Sequence, residues 1–117
     1  MINTSDIEKA VRRYFSNYNY KLFNLFIYSW ESDFFAISTS GYTIEVEIKV
    51  SKSDFKADYK KTTSKGINKH KFLLSDTIYK PNKFYFACPR GLILPNEIDK
   101  KYGLLYLGEF NSLFEVQ

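Results

Sequence analysis

The 117-residue chain is 44% hydrophobic and carries a net charge of +4, a composition that suits one packed domain over residues 1–117 and excludes both a disordered tail and a multidomain enzyme. No apolar run approaches the ~20 residues of a membrane span, and the N-terminus lacks the pattern of a secretory signal. The one cysteine, Cys88, excludes an internal disulfide and a zinc site built from cysteines. These features predict a reduced, soluble, cytoplasmic protein without a membrane partner.

The first predicted element is a helix that begins with a capping box. Ser5 stands at the cap position and Glu8 three residues later, a spacing in which each side chain binds the backbone of the other residue. A stripe of apolar residues at helical spacing follows, made of Ile7, Ala10, Val11 and Tyr14. After a polar break, the aromatic-rich segment 21–30 favours a buried strand.

Residues 33–50 carry the clearest pattern in the chain, which is that of a β-hairpin. Apolar and polar residues alternate along 42–50, so that Glu45, Glu47 and Lys49 share one face of the strand. The alternation therefore predicts a strand with one apolar face and one charged face.

The length of the hairpin turn decides whether another carboxylate joins that charged face. A three-residue turn, 39–41, places Asp33 directly opposite Glu47, whereas a two-residue turn places it opposite Ile48 on the other face. The sequence allows both registers. In the first, two carboxylates lie beside the amine of Lys49, and Mg²⁺ can be held by two carboxylates because it keeps several waters of its own. Alternating charges are also typical of a strand surface that simply faces solvent.

The remaining segments complete the order of helices and strands. They are a helix over residues 52–61 capped by Ser51, a polar basic loop at 62–71, a short strand or helix at 72–79, and strands at 83–88 and 103–107. This order predicts an α/β fold with a central mixed sheet of four or five strands flanked by helices.

Positive charge is concentrated between residues 49 and 71, which hold eight lysines and two aspartates. Such a patch is typical of a protein that binds a phosphate backbone, and it is equally typical of a solvated helix and loop. The candidate nucleic-acid contacts in it are Lys52, Lys56, Lys60, Lys65, Lys69 and His70. Contacts of this kind weaken with salt and carry no sequence preference of their own.

The hairpin and the helix after it contain an ordered set of chemical groups. Asp33 lies on one strand, the acid-x-Lys triplet Glu47-Ile48-Lys49 lies on the next, and a helix begins after Ser51. This arrangement resembles the PD-(D/E)XK nuclease superfamily, although Ser32 stands where the proline of that motif is expected. The stretch 41–58 also resembles a subgroup of small phage and bacterial nuclease-like proteins, as do, more weakly, the segments 69–71 and 81–93.

The resemblance implies a restriction-endonuclease-like core and Mg²⁺-dependent hydrolysis of DNA, with Mn²⁺ able to substitute. It makes Asp33 and Glu47 the metal ligands and Lys49 the catalytic base. A glutamate of the first helix sometimes joins the metal site in this superfamily, and Glu8 is the candidate here, although the capping box explains it as well. The expected enzyme is phage-encoded or acts in a bacterial host, cleaves in a structure-directed or weakly sequence-selective way, and could work as a homodimer on two strands.

Two other functions fit the same sequence. The first is a catalytically inactive nuclease-fold module that binds nucleic acid or a protein partner through its basic or aromatic surface. The second is a small interaction protein whose lysines serve solubility alone. Divalent-metal binding distinguishes the enzyme from both of them.

Overall fold

The computed structural model describes residues 2–28 and 30–117, so Met1 and Ser29, the latter within the predicted strand 21–30, lie outside the described residues. Across the described residues, six strands form one mixed sheet in chain order. The strands are Tyr20–Phe26 (β1), Glu31–Ile37 (β2), Thr43–Ile48 (β3), Lys83–Pro89 (β4), Gly103–Leu107 (β5) and Leu113–Glu115 (β6). The helices are Thr4–Tyr14 (α1), Lys52–Asp58 (α2) and Lys69–Leu73 (α3), with single 3₁₀ turns at Pro95–Glu97 and Glu109–Asn111. In these two ranges no helix has the length and apolar character to cross a membrane.

The sheet is parallel in its centre and antiparallel toward both edges. Strand β3 pairs in parallel with β4, and β4 with β5, whereas β1, β2 and β3 form antiparallel pairs and β6 pairs antiparallel with β5. A parallel pair requires a crossover between its strands, and the connection from β3 to β4 contains α2 and α3. The predicted α/β fold with a mixed sheet is confirmed. The predicted count of four or five strands is too low because the three-residue β6 is too short to show an alternation.

The two faces of the sheet are covered by different helices. Helix α1 covers one face, and the apolar core there comprises Ile7, Ala10, Val11, Phe15, Phe34, Ala36, Ile44, Val46, Ile48, Ala87, Leu105 and Leu107. Helices α2 and α3 lie on the other face, whose core comprises Trp30, Phe55, Leu73, Phe84, Phe86, Cys88, Ile93, Ile98, Tyr102, Leu104 and Tyr106. The charged side of β3 therefore faces the aromatic core below α2 and α3.

The cap of the first helix lies two residues before the predicted one. Asn3 is the cap, and its side chain accepts a hydrogen bond from the Asp6 N–H at 2.9 Å while the Asp6 carboxylate accepts one from the Asn3 N–H at 3.0 Å. The box predicted at Ser5 and Glu8 is thus wrong. Asparagine caps a helix as well as serine does, and the sequence offered both spacings.

The connection between β3 and β4 differs most from prediction. Helix α2 starts at its predicted cap, where the Asp54 N–H donates to Ser51 Oγ at 3.2 Å, but it ends at Asp58 rather than at residue 61. Helix α3 begins at Lys69, inside what was predicted to be a polar loop at 62–71. Its Asn68 cap accepts from two backbone N–H groups at 3.0 and 3.1 Å, which explains why the helix begins there.

Candidate functional site

The candidate site lies where strands β2 and β3 separate. The strands pair from the turn as far as Phe34 and Val46, a register that confirms the three-residue turn and places Asp33 opposite Glu47. Beyond this pair, Asp33 Oδ2 accepts a hydrogen bond from the Ile48 N–H at 2.7 Å. An aspartate side chain therefore takes the place of a backbone partner. Its carboxylate lies in the gap between β2 and β3 beyond Phe34 and Val46, which we call the fork.

Glu47 is a fully buried carboxylate in this opening. Its Oε1 accepts a hydrogen bond from Lys69 Nζ at 2.9 Å, but its Oε2 is buried without a hydrogen-bond partner among the described residues. The ammonium groups of Lys49 and Lys61 lie 3.8 and 4.0 Å from Oε2. Burial raises the pKa of Glu47 to about 7, assisted by the Asp33 carboxylate and opposed by the Lys69 ammonium. Glu47 thus retains an unused acceptor beside a second carboxylate.

Asp58, the last residue of α2, holds the cationic side chains together. Its fully buried carboxylate lies 3.2 Å from Lys49 Nζ, 3.1 Å from Lys61 Nζ, 3.1 Å from Lys69 Nζ and 2.6 Å from His70 Nε2. Burial alone would raise the pKa of Asp58, but the hydrogen bond from His70 and the three ammonium groups hold it well below its usual range. The ionised Asp58 therefore fixes the amine of Lys49 next to Glu47.

The loop 62–68 brings two further lysines to these carboxylates. An isolated antiparallel bridge joins the two ends of the loop, and the Lys69 N–H donates to the Lys61 carbonyl oxygen at 2.8 Å. Gly66 turns the loop at a φ of +80°, in the left-handed region that glycine adopts at no steric cost. Because the chain returns on itself here, Lys61 and Lys69 can reach the same two acids.

His70 and Tyr102 extend the network into the protein interior. The buried His70 ring places Nε2 2.6 Å from Asp58 Oδ2 and Nδ1 2.6 Å from the Tyr102 hydroxyl. Burial lowers the pKa of His70, although its hydrogen bond to Asp58 opposes this. A neutral ring with its proton on Nε2 satisfies both contacts, because it donates to Asp58 and accepts from Tyr102. His70 thus links the Asp58 carboxylate to Tyr102 in the protein interior and fixes its position.

Glu45 shares a face with Glu47, and its Oε1, like Glu47 Oε2, is buried without a hydrogen-bond partner among the described residues. Its Oε2 accepts a hydrogen bond from the Trp30 indole N–H at 2.8 Å, and burial raises the pKa of Glu45 to about 8. Glu45 is accordingly protonated near neutral pH. Trp30 is buried here and unable to stack on an exposed base.

The structure brings together the three site residues predicted on the hairpin, Asp33, Glu47 and Lys49. It does not bring Glu8 to them. Helix α1 packs on the opposite face of the sheet, and the Glu8 carboxylate lies 3.8 Å from Arg12 on the helix surface. Across residues 2–28 and 30–117, no group of three or more His, Cys, Asp or Glu side chains is arranged to hold a metal ion. The proposed third ligand is therefore wrong in this structure.

The predicted nucleic-acid contacts divide into two sets. Lys52, Lys56, Lys60 and Lys65 are exposed, as an electrostatic contact with a backbone requires. Lys69 is 0% exposed and His70 is 4% exposed, so their prediction as contacts in an open loop is wrong. The physical reason is that Asp58 and Glu47 supply buried partners, and α3 turns both side chains toward them.

Sequence reasoning missed Asp58, Lys61 and Lys69 as members of the site. Asp58 and Lys61 have the i, i+3 spacing at which side chains pair, and their charged groups lie 3.1 Å apart, but the lysine-rich sequence around Asp58 is typical of a solvated segment. The one signal for Lys69 was the weak resemblance of residues 69–71 to nuclease-like proteins. The convergence itself depends on how the loop 62–68 folds back, which no local pattern encodes.

The residues of the fork fit a hard divalent cation. The donors are carboxylate oxygens, and Glu47 Oε2 is a buried acceptor without a hydrogen bond inside the described ranges. Three carboxylates, of Asp33, Glu47 and Asp58, face three ammonium groups, of Lys49, Lys61 and Lys69.

No family model matches the chain, and no curated protein is similar enough to match it. Among solved structures, the chain is similar to the SPO1766 protein of unknown function from Silicibacter pomeroyi. The similarity has a TM-score of 0.69 at 16% identity and covers 100% of this chain and 71% of that one. At this identity the two proteins share a fold, and the similarity extends no further.

Proposed function

We propose that the chain is a metal-dependent deoxyribonuclease with a restriction-endonuclease-like core, which hydrolyses phosphodiester bonds. One observation carries the proposal: Asp33 and Glu47 meet in the fork between β2 and β3, and the amine of Lys49 lies 3.8 Å from Glu47 Oε2, which accepts no hydrogen bond from the residues that the structure describes. Two acids and an amine at one point are the groups that phosphodiester hydrolysis with a hard cation requires.

Each residue of the fork has a distinct role in this proposal. Asp33 and Glu47 hold Mg²⁺, or Mn²⁺ in its place, which when bound acidifies a water and stabilises negative charge on phosphate. Lys49 acts as the base once its ammonium has released a proton to solvent, because only the neutral amine can take the proton of the attacking water at Nζ. Asp58 holds that amine at 3.2 Å, so Lys49 keeps its orientation while the substrate binds. The burial of Lys49, which is 5% exposed, keeps bulk water away from the amine.

DNA is the proposed partner because the exposed lysines lie on the same helix and loop that deliver Asp58 and Lys61 to the site. Lys56 and Lys60 on and after α2, and Lys65 in the following loop, are exposed. A backbone laid along them would approach the fork, and its affinity would fall as salt rises. Such contacts favour structure-directed or weakly sequence-selective cleavage.

The test compares two glutamates on one strand face. Purified protein is incubated with Mg²⁺ or Mn²⁺ and supercoiled, linear, single-stranded or branched DNA. We expect cleavage by the wild type, its loss in Glu47→Gln and Lys49→Met, and its retention in Glu45→Gln, because Glu45 is already neutral near pH 7. Wild-type protein that cleaves none of these substrates, or Glu47→Gln protein that cleaves at the wild-type rate, contradicts the proposal.

The second candidate function is a nuclease-fold module that binds nucleic acid without cutting it. The observation that favours it is the balance of charge in the fork, because Lys49, Lys61 and Lys69 already neutralise the acids without a metal. Calorimetry separates the two functions. A binding module takes up DNA but no Mn²⁺, whereas the enzyme binds Mn²⁺ in the absence of DNA and loses that binding in Glu47→Gln.

A further inference from the structure

The three lysines of the fork differ in their access to solvent. The side chains of Lys69 and Lys49 are 0% and 6% exposed, whereas that of Lys61 is 40% exposed. All three contact Asp58 at 3.1 to 3.2 Å. Lys61 is thus the lysine of this set that can touch both the buried acids and a molecule arriving from solvent.

The contacts of Lys61 place its ammonium beside two buried carboxylates. Its Nζ lies 3.1 Å from Asp58 Oδ1 and 4.0 Å from Glu47 Oε2. The Lys61 carbonyl oxygen accepts a hydrogen bond from the Lys69 N–H at 2.8 Å. The ammonium is therefore held at the carboxylates, while the side chain remains accessible to solvent.

We propose that Lys61 is the phosphate-contacting residue of the site, donating a hydrogen bond to a non-bridging oxygen of the nucleic-acid strand. The proposal rests on the function proposed above and adds a residue outside the acid-x-Lys motif. Lys61 forms and breaks no covalent bond. It stabilises negative charge on the phosphate, which is the role of a preorganised donor at an oxyanion. Neither Lys49 nor Lys69 can take this place, because both side chains are buried.

The chain supplies a matched control at the next position. Lys60 has the same charge and nearly the same place in sequence, but it is exposed and forms no ion pair within the part of the chain that the structure describes. Lys60→Ala removes a general phosphate attraction and leaves the fork intact. Lys61→Arg keeps a cationic donor at the fork, so it tests charge and position together.

The experiment has two arms on the full chain. In the first, inorganic phosphate is titrated while the lysine side-chain Nζ resonances are followed by NMR. We expect phosphate to shift the Lys61 signal more than the Lys60 signal, and an unchanged Lys61 signal would overturn the proposal. In the second, cleavage with saturating Mg²⁺ should fall about 100-fold in Lys61→Ala, recover in part in Lys61→Arg, and fall far less in Lys60→Ala, where only general attraction to the DNA backbone is lost.

The two arms separate the failure of this proposal from failure of the nuclease assignment. Equal cleavage by Lys61→Ala and Lys60→Ala, in a protein whose wild type cleaves, overturns the role of Lys61 alone. A wild type that cleaves nothing overturns the nuclease assignment, and the phosphate arm then decides whether Lys61 contacts the anion. Calorimetry with Mn²⁺ alone should show binding by Lys61→Ala that is at least as tight as by the wild type, since the change removes a positive charge 4.0 Å from Glu47 Oε2 and takes away no metal ligand.

Discussion

The two faces of the sheet bury similar numbers of side chains with different chemistry. Below α1 the core is hydrocarbon, with residues such as Ile44, Val46 and Leu105 at 0% exposure. Below α2 and α3, a comparable aromatic core encloses Glu47, Asp58 and further ionisable groups that are also 0% exposed. Replacing a buried ion-pair network by packed apolar residues is often neutral or stabilising, so stability alone does not account for the second face. The comparison therefore favours the proposal that the ionised face serves a function other than stability.

The largest effect on stability is expected when Asp58, the carboxylate that contacts all three lysines of the fork, loses its charge. Asp58→Asn removes the charge that faces Lys49, Lys61 and Lys69, and it leaves buried ammonium groups without their main counterion. We expect the free energy of unfolding to fall by about 3–5 kcal/mol, measured by urea denaturation. Asp54→Asn, on the exposed side of the same helix, is the control and should change it far less. Equal effects of the two variants would mean that the buried network is not a unit.

A smaller effect, dependent on pH, is expected from Glu45 on the same face. The pKa of Glu45 is raised from 4.5 to about 8 by burial. The folded and unfolded states are both protonated below 4.5, but between 4.5 and about 8 the unfolded state releases a proton that the folded state keeps. The stability that Glu45 contributes is therefore present at low pH and is lost as pH rises toward 8.

Replacement by glutamine isolates this contribution. Glu45→Gln mimics the protonated side chain, so its free energy of unfolding should approach or exceed that of the wild type as pH rises from about 5 to about 8. Urea denaturation at several pH values gives the difference. A difference that is constant with pH would show that Glu45 ionises normally in the folded state.

The smallest effect is expected on the hydrocarbon face. Ile44→Val removes one buried methylene group below α1, and we expect about 1 kcal/mol of destabilisation. Cleavage and Mn²⁺ binding should not change, because the residue lies on the other side of the sheet from the fork. Altered metal affinity in this variant would show that the two faces are coupled.

The sequence narrowed the position of Asp33 to two alternative registers, because the signals there are local. The alternation along residues 42–50 and a three-residue turn together place Asp33 opposite Glu47, and the register depends on nothing farther away. The last strand, Leu113–Glu115, was missed because three residues at a sheet edge show no period. The helix start at Asn3 was missed because two capping patterns overlap in the same six residues.

The rest of the site depends on tertiary structure, which explains the errors there. Lys69 and His70 lie in a lysine-rich polar stretch, and composition alone assigns such residues to solvent. They are buried because they contact two buried carboxylates, Asp58 at the end of α2 and Glu47 on β3. A buried charge is placed by its partners, and these partners are 11 to 22 residues away in the sequence.

The most direct test of the account is a crystal structure of the protein soaked with Mn²⁺, with the ion located by its anomalous signal. The account predicts one ion in the fork between β2 and β3, coordinated by both Asp33 and Glu47 Oε2 and otherwise by water, and none in a Glu47→Gln crystal. A fork that stays metal-free at saturating Mn²⁺, or an ion that contacts neither carboxylate, would contradict it and leave a binding module with a lysine-neutralised core.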